Sequence, residues 1–179
     1  MVWAAVDPLD RIHIYDEYPD KAMFHKISSC TDKLDDFVNI IKEKEGRDRI
    51  VSRILDRRYG FTSRVQTGTT IAEEFSRKGL NFHESYNDAQ GGIEAGHIAV
   101  KEYLGRDDQE PRILIHESCK NTIYSFTHYV YDSKTGKIRE EAKDFADCVR
   151  YLVKDEPRYD FWTQSAKRIE SRGLSGYGE

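Results

Sequence analysis

Three carboxylates in this sequence stand where hydrolytic chemistry could be built: Asp56, Asp144 and Asp147. Asp56 closes the β-prone run Ile50–Asp56. In open α/β sheets ligands gather just beyond the carboxyl ends of the strands. Its alternative role is to cap the turn that follows. Asp144 and Asp147 lie three residues apart on a segment with helical periodicity, so they are surface neighbours. Phe145, Cys148, Val149 and Leu152 form the apolar stripe of that segment, and the helical rotation puts both aspartates beside the stripe. Two like charges at this spacing cost about 0.2–0.5 kcal/mol. A shared divalent cation would reverse the sign. The plain alternative is an acidic rim offset by Lys143, Arg150 and Lys154. Carboxylate oxygens suit Mg²⁺ or Mn²⁺ rather than zinc or copper.

The arginines point to a matching substrate. Residues 47–64 hold six arginines (47, 49, 53, 57, 58 and 64) against two aspartates, a local +4 within a chain of net charge −4. The window is either a solvated edge or a phosphate-facing patch. A cation held beside such a cluster is the arrangement that hydrolyses a phosphodiester. Other chemistries find less support. There is no GxSxG, and Gly91-Gly92 lacks the Lys and Ser/Thr of a nucleotide-binding loop, so no ATP site is expected. His97 falls on an apolar helical stripe and reads as a core histidine; His116 ends a strand and could approach the same sheet edge.

Elements must position these groups. Residues 2–7 and 11–18 read as a hairpin turned by Asp7-Pro8-Leu9-Asp10. Leu34, Phe37, Val38 and Ile41 predict a helix, capped by Thr31 or Asp32 and stopped at Gly46. Thr70-Ile-Ala-Glu73 is a capping box opening a short helix to Gly79, before a brief strand at Leu80–His83. Gly91-Gly92 precedes a helix striped by Ile93, His97, Val100 and Leu104, and Arg112–His116 is a strand. A helix through Ile123, Phe126, Thr127 and Val130, a loop or extra hairpin over Asp132–Lys143, and a last helix at 143–154 complete the order. Strands alternating with helices after an opening hairpin predict an α/β fold, a mixed β-sheet with helices on its faces.

With 179 residues, 38% hydrophobic and 34% charged, the chain has room for one ordinary domain and its core. Residues 1–155 are expected to form it, with 156–179 a polar tail. No window has the apolar length of a membrane span, and Met1–Asp7 lacks the features of a signal peptide. Cys30, Cys119 and Cys148 are scattered and odd in number, which argues against a disulfide framework and suggests a reducing compartment.

The order of elements resembles the C-terminal nuclease domain of the large subunit of tailed-phage terminases, over roughly residues 1–153. Five stretches carry the resemblance: Trp3–Val6 with Arg11–Tyr18; Ile54-Leu-Asp56; Thr70–Phe75 with Gly79; Gly92–Leu104; and Asp144-Phe-Ala-Asp-Cys-Val-Arg-Tyr151, the most specific. It implies an RNase H-like fold and a domain that cuts concatemeric viral DNA with two Mg²⁺ or Mn²⁺ ions. Asp56 then matches the second-strand carboxylate, Asp147 the helix carboxylate and Asp144 an additional metal position. Glu17 matches an acidic position after the second strand. Arg53, Arg57, Arg58 and Arg64 become candidate DNA contacts.

The family's first catalytic Asp lies on a strand upstream of Trp3–Val6, so the opening strand is expected to be truncated here. The implied partners are double-stranded viral DNA and, in the full protein, an ATPase domain, the terminase small subunit and the portal. The implied location is the cytoplasm of a bacterial host, with no membrane. Two other readings stay open: a non-catalytic DNA- or portal-binding remnant, and another RNase H-like nuclease such as a resolvase.

Overall fold

Val2–Val6 (β1) and Ile12–Glu17 (β2) pair antiparallel, and their turn is tied by one side chain. Asp7 Oδ1 accepts from the N–H groups of Leu9 at 2.9 Å and Arg11 at 3.0 Å, while Asp7 O accepts from Asp10 N at 2.9 Å. Asp10 takes a left-handed φ of 56°, a conformation aspartate tolerates. The computed structural model describes residues 1–22, 32–85, 92–105, 109–128 and 143–159. The expected loop or hairpin at 132–142, most of the tail after Glu156, Cys30, Gly91 and Val130 lie outside these residues.

The remaining elements are helix α1 (Leu34–Glu45), β3 (Ile54–Leu55), the single turn α2 (Arg57–Gly60), α3 (Ile71–Ser76) and β4 (His83–Glu84). They are followed by α4 (Gly92–Tyr103), β5 (Ile113–Ile115), α5 (Lys120–His128) and α6 (Lys143–Lys154). β5 joins β2 in parallel, Ile12 opposite Ile113 and Ile14 opposite Ile115, giving a mixed sheet of order β1-β2-β5. β3 and β4 form a separate parallel pair. The architecture is therefore mixed α/β, as the alternation of elements predicts.

Side-chain alternation on β1 splits the interior in two. Val2 and Ala4 face a core of Ile12, Ile14, Ile113, Val100, Val149 and Val153, contributed by the sheet, α4 and α6. Trp3 faces the other way, into a core with Val38 and Ile41 of α1, Phe75 of α3, and Leu80. Helices thus cover both faces of the small sheet. Lys44 of α1 ties the second layer down: its Nζ reaches Asp16 Oδ1 at 2.8 Å and lies 5.3 Å from the Trp3 ring centre.

Four expectations are corrected here. The interior strand ending at Asp56 is only two residues long and belongs to the two-stranded pair; upstream of it Arg53 O accepts from His83 N at 2.9 Å, and residues 50–52 lie in no strand. The cap of α1 is Lys33, whose N–H donates to Asp36 Oδ2 at 2.9 Å; Asp32 instead accepts from the Tyr18 hydroxyl at 2.5 Å. On α4 the deep residues are Gly96 and Val100, whereas Ile93 and Leu104 are exposed and His97 is half-buried. On α5 the buried residues are Asn121, Thr122 and Ser125, with Ile123 outside. Hydrogen bonding decides α5: Ser125 Oγ accepts from Ala146 N at 3.0 Å, and the other two serve Glu17.

Candidate active site: two aspartates linked through Tyr151 and Arg150

Asp56 follows the two residues of β3 and is the N-cap of α2, its Oδ1 accepting from Tyr59 N at 2.8 Å. The capping role is therefore real. It leaves Oδ2 for a distant partner. That partner is the Tyr151 hydroxyl, at 2.5 Å across 95 positions of sequence. Tyr151 belongs to α6 and lies four residues after Asp147, on the same helical face. Asp147 is held by the residue between them in space: Arg150 donates to Asp147 Oδ1 from Nε at 3.2 Å and from Nη2 at 3.1 Å. The Arg150 guanidinium also lies 4.7 Å from the Tyr151 ring centre. The strand-tip carboxylate and the helix carboxylate are thus members of one chain of contacts, Asp56–Tyr151–Arg150–Asp147.

α6 presents this row because its other face is strongly apolar. Phe145, Val149 and Val153 repeat every four residues and are buried, which turns Asp147 and Tyr151 to the flank. Cys148 and Leu152, expected in the stripe, are half-buried beside it. Arg150 is only 3% exposed and enters the α4–α6 contact over Gly96. A buried arginine three residues from an aspartate is a signal the sequence offered. Charge alone puts Arg150 in an acidic–basic rim; burial against α4 is what gives it to Asp147.

The surroundings act on the acid–base groups in opposite ways. Burial raises the Asp147 carboxyl above its ordinary 3.8, against the pull of Arg150 and Lys143. Burial and the Asp56 carboxylate raise the Tyr151 phenol far above its ordinary 10.0, so it stays a neutral donor. Asp144 is exposed, one turn before Asp147.

The remaining candidates lie elsewhere or point outward. Glu17 is 2% exposed and caps α5 from a distance. Its Oε1 accepts from Asn121 N at 2.8 Å and Nδ2 at 3.0 Å, and its Oε2 from Thr122 N and Thr122 Oγ1, both at 2.8 Å. A carboxylate accepts about four such bonds, so Glu17 is fully used by the fold. Arg53 is committed to Glu45, donating to Oε1 from Nε at 2.7 Å and to Oε2 from Nη2 at 2.5 Å. Arg57 and Arg64 make surface pairs with Glu84 at 3.3 Å and Glu74 at 3.5 Å. Arg58 is exposed and, among the described residues, pairs with no carboxylate; it lies 5.9 Å from the Tyr59 ring centre.

As a cation site, the arrangement offers hard oxygen donors of the class that Mg²⁺ and Mn²⁺ take. Among the described residues Asp147 accepts from Arg150 at Oδ1 and makes no bond through Oδ2. Asp56 spends one bond on each oxygen, half of what a carboxylate can accept. Among the described residues no three of His, Cys, Asp and Glu gather into a metal-binding group. No helix among them is long and apolar enough to cross a membrane. Comparison of the chain with protein-family models, with curated proteins and with solved structures finds no match.

Proposed function

We propose that the chain is an RNase H-like, metal-dependent DNA endonuclease domain of the terminase large-subunit type, acting on concatemeric viral DNA in the cytoplasm of a bacterial host. The observation that carries the reading is the Tyr151–Asp56 hydrogen bond. It sets the tip of β3 against the flank of α6, which supports the pairing of two acids from these elements that the resemblance implies.

In this reading Asp56 and Asp147 hold Mg²⁺ or Mn²⁺, with Asp144 one turn away as an additional ligand. The bound ions supply Lewis acidity and an activated water. The protein's own residues do the rest. Tyr151 and Arg150 fix the two carboxylates, while Arg57, Arg58 and Arg64 face the flanking phosphates from the loop beside Asp56. In a longer chain the ATPase domain, small subunit and portal are the partners of this domain.

The test is nicking of supercoiled plasmid with Mg²⁺ or Mn²⁺. Activity should be lost in Asp56→Ala and in Asp147→Ala, with circular dichroism unchanged. Equal cleavage by the parent and both variants rejects the assignment.

A second reading has its own support: Glu17 is consumed by α5, and no third acid joins Asp56 and Asp147 among the described residues. The domain would then bind DNA or the portal without cutting. Calorimetry with Mn²⁺ separates the two. Micromolar binding abolished by Asp147→Ala favours the nuclease, and no binding favours the remnant.

A further inference from the structure

An isolated exposed tyrosine is ordinary on a protein surface. Tyr59 differs in how it is held. Tyr59 is 72% exposed, yet the turn that carries it is held at several points. Tyr59 N donates to Asp56 Oδ1 at 2.8 Å, and Gly60 N donates to Asp56 O, also at 2.8 Å. Arg57 N donates to Ser85 Oγ at 3.0 Å, tying the turn to the chain after β4. Gly60 is pressed against Leu55 so closely that a Cβ there would stand 2.5 Å from Leu55 Cγ. The turn is therefore preorganised, and it projects an aromatic face into solvent one hydrogen bond away from Asp56.

The charge beside that face is positive. Arg58 lies 5.9 Å from the ring centre. Arg57 and Arg64 are exposed, and their pairs with Glu84 and Glu74 are surface pairs of the weak kind that a phosphate can displace. An exposed ring with a guanidinium beside it, and further exposed arginines on the same stretch of chain, is what a nucleotide strand with accessible base faces requires: a stacking plane for the base and cations for its phosphates. A smooth duplex hides its base faces and could use only the arginines.

We propose that Tyr59 and Arg58 form a stacking platform for a single DNA strand, so that the strand delivered to Asp56 is unpaired or locally opened. The proposal takes its substrate from the nuclease reading and narrows it to DNA with single-stranded character. Held on Tyr59, the strand would have its next phosphate near the Asp56 carboxylate. The platform thereby selects which part of a DNA molecule is presented for cutting.

The test uses the full chain in EDTA, so that binding is read without cleavage. Fluorescence anisotropy is measured with a labelled single strand of about 16 nucleotides, the upper site size of strand-binding modules, and with the blunt duplex of the same sequence. The parent should prefer the single strand. Tyr59→Ala should lose about tenfold on the single strand, the order expected for one lost stack, and nothing on the duplex. Tyr59→Phe should restore the preference, and Arg58→Ala should weaken binding with a shallower salt dependence.

An unchanged melting temperature in Tyr59→Ala assigns the loss to the surface. Single-strand binding equal in Tyr59→Ala and the parent, or no preference for the single strand in the parent, overturns the platform. Plasmid nicking is scored separately. Tyr59-dependent binding without metal-dependent nicking keeps the platform and removes the nuclease. Metal-dependent nicking with Tyr59-independent binding does the reverse.

Discussion

Gly96 and Arg150 occupy one space. A Cβ built on Gly96 would stand 2.7 Å from Arg150 Cδ, closer than two carbons approach. The absence of a side chain on α4 is what lets the Arg150 stem run across the helix contact and deliver its guanidinium to Asp147. Gly96→Ala should therefore cost about 1–3 kcal/mol, the usual penalty of overpacking, as read by urea unfolding. An effect below about 0.5 kcal/mol, the range of ordinary surface changes, would mean that Arg150 moves aside freely.

Tyr151 and Asp56 are coupled through a charged, partly buried hydrogen bond. Tyr151→Phe removes the donor and little volume. The expected loss is about 1 kcal/mol, at the low end for bonds to charged groups because the pair is partly solvated. In an Asp56→Asn background the same change should cost less, since both changes break one bond. Strict additivity in the double-mutant cycle would show that the two side chains do not act together.

Glu17 accepts four hydrogen bonds from the first turn of α5. Glu17→Gln presents an amide NH₂ to two of those donors and removes the charge that favours a helix N-terminus. Unfolding in guanidinium should show a loss of about 3 kcal/mol, as expected for a buried network left partly unsatisfied. Retained stability would show that α5 caps itself by other means.

Two aspartates bend the pH profile of stability in opposite directions. Asp7 is held well below its ordinary 3.8 by the His13 ring nitrogen at 2.9 Å and by Arg11. A depressed acid stabilises above its unfolded value, and that stability is lost as pH falls below it. Asp7→Asn should flatten the acid limb below pH 3.8. Asp147 is raised, so its contribution falls as pH climbs from 3.8 through the higher folded value. Relative to the parent, Asp147→Asn should gain stability as pH rises above 3.8. Thermal melts parallel to the parent's below pH 3.8 for Asp7→Asn, and above it for Asp147→Asn, would contradict the two assignments.

Some of this was legible in one dimension. The turn Asp7–Asp10, the capping box Thr70–Glu73 and the amphipathic run 143–154 rest on contacts within a few residues. Local chemistry decides them before any tertiary contact forms. For the same reason Asp56 could be placed at a strand tip and Asp147 on a helix flank. What failed was partnership. Glu17 and Arg53 have the types and positions of site residues, but Asn121, Thr122 and Glu45 claim them. The buried face of α5 is polar, which no hydrophobic period reports.

The sequence by itself determined which side chains carry charge, the order and type of the main elements, and that Phe145 and Val149 of α6 turn inward. Only the tertiary structure decided who meets whom. Tyr151 finds Asp56 across 95 positions, and Arg150 threads past Gly96 to Asp147. The physical reason is range. Capping, turn chemistry and amphipathic periodicity act over one or two turns of chain. A hydrogen bond between distant side chains depends instead on the summed packing of every layer between them.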